Sequence, residues 1–168
     1  MALIVEDGSV VPNADSYISV ADATTYFENH SDPQLWPNSQ LDVKEGALRY
    51  ATTTLDGMFK WTGEVFSLTQ SLSWPRSDAT DNEDRTIATN SVPERVRQAT
   101  CELALLHISK PLNENYDRGG DTKMEQVGPV RVEYFSGASV EPYLPILMRI
   151  LGGLGTWRGA MTGDLDRA

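Results

Sequence analysis

The chain has 168 residues, 40% hydrophobic and 23% charged, which supports one folded domain with a real core. Its formal net charge is −10, with five Lys and Arg against fourteen Asp and Glu through Ser91 and nine against ten beyond it. That sign works against a general nucleic-acid-binding role, which needs cations to displace the counterions of phosphate. The lone cysteine, Cys101, excludes an intramolecular disulfide and a thiolate zinc cluster. No apolar run reaches membrane-spanning length, and the start lacks the charged-then-apolar pattern of a signal peptide.

In chain order, Met1 to Val20 reads as an extended arm. Ala2 to Val5 is a short strand candidate, and GSVVPNAD is turn chemistry. A first helix is predicted from about Ala21 to Asn29, capped by Ser19, with Ala23, Tyr26 and Phe27 turned inward. Two prolines in HSDPQLWPNS break it. A second helix is predicted from Gln40 to Met58, with Leu41, Leu48 and Leu55 in heptad spacing beside Ala51 and Met58. Gly57 marks its end, and Glu45 with Arg49 forms an outward i,i+4 pair. FKWTGEVF after it is a short strand or a tight connection.

Trp74, Pro75 and Arg76 form a compact landmark. The plain reading is a tryptophan plugging one end of the bundle while the arginine's planar fork satisfies local carbonyls. A binding site is the competing one. The following loop holds Asp78, Asp81, Glu83 and Asp84 but lacks the glycine and distal glutamate of a calcium loop, so it reads as solvated.

The clearest element is the helix in SVPERVRQATCELALLHISK. Ser91 and Glu94 have capping-box spacing, and Pro93 suits the first turn. Val92, Val96, Ala99, Leu103 and Leu106 make one apolar stripe. Beyond Arg97, Cys101, Leu105 and Ile108 extend apolar character around the axis, so the helix is either central to the domain or covered by a second subunit. Lys123 to Phe135 alternates about Gly128-Pro129 and predicts a hairpin that must pack on something else. A last helix is predicted from Pro142 to Leu151. The glycine-rich end carries Leu154, Trp157 and Met161, which either fold back on the domain or dock on another protein.

Catalytic chemistry is sparse. His30 and His107 are the whole histidine supply, and Cys101 sits in an apolar turn. No phosphate loop, HExxH, GxSxG or paired metal-ligand spacing occurs. The expectation is therefore no catalytic site, no metal and no cofactor; a metal-dependent enzyme on the Asp78–Asp84 loop is the weakest alternative.

Several motifs together carry a resemblance: LIVEDGS and ADSYISV at the start, Leu72-Ser73-Trp74-Pro75-Arg76, Val92-Pro93 leading into Glu102-Leu103-Ala104, and Lys123 to Tyr134 with Gly128-Pro129. The chain resembles the tailed-bacteriophage head–tail connector proteins, adaptor or head-completion subunits between portal and tail, over about Ala2 to Leu151. Many relatives carry the label DnaT-like single-stranded-DNA-binding protein. The resemblance implies a mainly α fold: a small bundle of about four helices with a β-hairpin at about 123–135 and extended N- and C-terminal arms. It divides the chain into an adaptor domain, 1–151, and a docking tail, 152–168.

It also implies a homo-oligomeric ring, usually dodecameric, in the virion neck. Such a ring joins the portal protein to a tail or tail-completion protein and lets genomic dsDNA pass without specific binding. On this view Leu154, Trp157, Arg158 and Met161 bind portal, while Cys101, Leu105, Ile108, Val130, Val132 and Tyr134 lie between subunits. The alternative is a single-stranded-DNA-binding module, for which Trp61, Trp74, Tyr116 and Tyr134 would supply stacking rings.

Overall fold

The computed structural model describes residues 2–29, 35–109, 124–127, 130–133 and 145–158. The first helix, α1 (Val20–Glu28), starts where predicted. Ser19 accepts a hydrogen bond from the Asp22 N–H at 3.0 Å and donates its own to Asp22 Oδ2 at 2.7 Å. Ala23 and Phe27 face the core, with Tyr26 half-buried. The single turn α2 (Leu35–Asn38) follows and drives Trp36 fully into the interior. There its indole N–H donates to Thr24 Oγ1 at 3.0 Å and its ring lies 4.8 Å from Phe27.

The most extensive helix pairing is between α3 (Leu41–Met58) and α4 (Glu94–Ser109). From α3, Ala47, Leu48, Ala51 and Leu55 are buried, as the heptad spacing predicts. Leu41 is not: as the first helical residue it lies ahead of the packed turns and is 62% exposed. Arg49 pairs with Glu45 at 3.8 Å, but its nearer partner is Asp15 of the N-terminal arm at 2.6 Å. From α4, Val96, Ala99, Cys101, Leu103 and Ala104 are buried. The Ser91–Glu94 capping box does not form. The Pro93 carbonyl accepts the first helical bonds, from Val96 at 2.9 Å and Arg97 at 3.3 Å, while the Ser91 hydroxyl turns back to the Ala88 carbonyl. Pro93 fits that position because it has no N–H to satisfy. The last helix, α5 (Pro145–Ile150), packs on α4 through Leu147; residues 142–144 of the predicted span lie outside the described residues.

The expected mainly α bundle with a single hairpin needs correction. The described residues also form three separate two-stranded antiparallel sheets: β1 (Phe59–Trp61) with β6 (Gly155–Trp157), β2 (Glu64–Val65) with β3 (Arg76–Ser77), and β4 (Met124–Val127) with β5 (Val130–Glu133). Only the last is the predicted hairpin; its register pairs Val127 with Val130 and Glu125 with Val132. The other two are two or three residues long, too short to show alternation, and β1–β6 joins segments almost a hundred residues apart.

The N-terminal arm is not extended either, and the described part of the C-terminal one pairs back on β1. In the N-terminal one the strand candidate reduces to one bridge, Val5 to Ser16, and Glu6 is fully buried. Its carboxylate accepts from the N–H groups of Gly8, Val10 and Val11 at 2.8, 3.0 and 2.9 Å. That clasp holds Val10 at φ +62°, a conformation costly for a β-branched residue. At the other end, Gly153 turns the chain from α5 into β6 at φ +85°, where a Cβ would meet the Asn82 backbone nitrogen at 2.3 Å.

Candidate functional site

The densest polar geometry surrounds the Trp74-Pro75-Arg76 landmark. Asp56, near the C-terminal end of α3, accepts from the Tyr17 hydroxyl at 2.7 and 2.8 Å, the Ser73 N–H at 2.9 Å and the Trp61 indole at 3.3 Å. The Tyr17 oxygen in turn accepts from the Trp74 N–H at 3.2 Å. One carboxylate thus ties the N-terminal arm, α3 and the landmark loop together. Burial pushes the Asp56 carboxyl above its ordinary value, against the opposing pull of these donors, and pushes the Tyr17 hydroxyl well up.

Trp74 is fully buried, its peptide to Pro75 is cis, and its ring lies edge-on to Trp61 at 5.8 Å. Arg76 spends its fork on backbone: Nε on the Thr62 carbonyl at 2.7 Å, Nη1 on Ser73 at 3.1 Å and Nη2 on Gly63 at 2.7 Å. Gly63 sits at φ +67°, where a side chain would strike the Ser77 carbonyl. The landmark is therefore a plug with a satisfied arginine, built to hold the loop between β2 and β3.

Of the residues expected to face portal, Leu154 is 1% exposed and lies in the chain's own core. Trp157, half-buried in β6, meets Phe59 edge-on at 5.5 Å, and the Arg158 N–H donates to the Met58 carbonyl at 2.8 Å. Residues 152–158 belong to the domain, because β1 presents Phe59 and Trp61 and needs an apolar strand over them. The Arg158 side chain is exposed; Met161 lies outside the described residues.

Among residues expected between subunits, Cys101 is fully buried inside its own chain, not at a surface, and burial pushes its thiol far above the ordinary value. Leu105 and Ile108 are partly buried on α4. Val130 and Val132 are placed only as backbone positions of β5, and Tyr134 and Tyr116 lie outside the described residues.

Two apolar features did not come from sequence reasoning. Between α4 and α5 runs a groove of about 210 Å³ lined by Leu103, Leu105, Leu106, Ile146 and Leu147, with Glu102 and Ser109 at its edge. At the end of β2 and on the loop after it, Val65, Phe66 and Leu68 are 42%, 50% and 97% exposed. The signal was present in residues 65–75, VFSLTQSLSWP, which hold no charge in a chain that averages nearly one in four.

Among the described residues, several of the rings and cations that a phosphate track would use are engaged within the chain. Trp36, Trp61 and Trp74 are in the core. Arg49 and Arg85 pair with carboxylates, Arg76 with carbonyls, and Arg95 with the Gly152 carbonyl at 3.2 Å. Asp81, held low to about 2 by the Arg85 hydrogen bond, anchors the acidic loop as a closed turn. His107 stacks on Tyr50 at 4.1 Å, and burial lowers its pKa. Among the described residues no group of three His, Cys, Asp or Glu could hold a metal ion, and no helix is long and apolar enough to cross a membrane.

No curated protein and no solved structure matches the chain. A family does, over residues 1–168. The chain belongs to the family described as "Putative DnaT-like ssDNA binding protein".

Proposed function

We propose that the chain is a non-catalytic structural protein of a tailed-phage neck, a head–tail adaptor that forms a ring between portal and tail in the virion. The observation that carries this reading is the apolar surface that Val65, Phe66, Leu68 and Ile146 expose among the described residues, which calls for protein neighbours. The excess of acids supports it as well, since a negatively lined bore lets duplex DNA slide without sticking. With Leu154 and Trp157 occupied, a portal contact from this end of the chain runs through Arg158 and residues 159–168.

The family's description favours a second reading, single-stranded-DNA binding, over the first. That activity requires cations along a groove and aromatic platforms for the bases. Phe66 is the one described ring at least half exposed.

Titrating labelled oligo-dT and a duplex across salt separates the two. A binder neutralising Z phosphates of a single strand gives a slope of about −0.7Z in log K against log salt. The adaptor reading expects no binding at physiological ionic strength, and rings by electron microscopy when the chain is mixed with portal. Tight, steeply salt-dependent oligo-dT binding without rings would replace it by the second reading.

A further inference from the structure

We draw no further inference here: the strongest candidate, the cleft between α1 and the first turn of α4 where Arg97 Nε is buried without an acceptor among the described residues, carries nothing because its Asn29 end runs into residues outside the described ones, so nothing in the structure shows what covers it.

Discussion

Replacing Tyr17 with Phe removes one oxygen atom from the point where the N-terminal arm, α3 and the landmark loop meet. The ring is retained and fully buried, so no cavity opens and the loss is purely polar. Two bonds go. The hydroxyl's donation to the Asp56 carboxylate is charge-assisted, a class worth about 1.5–3 kcal/mol. The Trp74 N–H loses its acceptor at a buried position, a penalty of about 1–3 kcal/mol. Asp56 keeps the Ser73 N–H and the Trp61 indole, which offsets part of this, so the expected net loss is about 2–4 kcal/mol. Urea unfolding followed by tryptophan fluorescence reads it directly, since Trp61 and Trp74 line the node. With a slope of about 2 kcal/mol per molar, the midpoint should fall by roughly 1–2 M while the slope holds. A cycle with Asp56→Asn should give a coupling within about 0.5–3 kcal/mol. A midpoint unmoved by Tyr17→Phe would refute the view that this hydroxyl joins the three segments.

Asp56 also predicts a pH dependence. Desolvation raises its carboxyl in the folded state above the unfolded value of 3.8, so the folded protein holds its proton more tightly than the unfolded chain does. Wild type should therefore gain stability relative to Asp56→Asn as pH falls through the folded value, and level off below 3.8. A difference that is flat, or that shrinks on acidification, contradicts the assignment. Two truncations address the C-terminal end. A chain stopped after Arg158 keeps β6 and is the reference in a thermal scan. One stopped after Gly152 loses buried Leu154 and the strand over Phe59 and Trp61, and should be less stable by at least the 2–5 kcal/mol or so of a buried leucine. Equal melting of the two would show that β6 contributes nothing to the core.

Much of the helical frame was legible because helices are local. Ser19 caps α1 through bonds that span three residues, and Leu48, Ala51 and Leu55 announce the buried face of α3 by spacing alone. The β4–β5 hairpin was readable for the same reason, its two strands being neighbours around Gly128-Pro129. The satisfied arginine and buried tryptophan of the landmark also followed from residue type. The sequence carried the net charge of −10 and the uncharged stretch from Val65 to Pro75, but not the exposure of Val65, Phe66 and Leu68 within it.

Tertiary structure alone decided what the C-terminal end does. Leu154 and Trp157 look like free apolar residues in a glycine-rich segment until β6 is laid against β1, and a three-residue strand has no period by which to announce its partner. The same holds for Asp56, whose four donor contacts come from Tyr17, Ser73 and Trp61, and for Glu6, which looks like one more surface acid until it closes a loop. Cys101 and Leu105 belong to one apolar run, yet the first is sealed inside and the second lines a groove beside α5. Periodicity says that a face is apolar. Which neighbour covers it is a matter of long-range packing, and a local pattern holds no record of that.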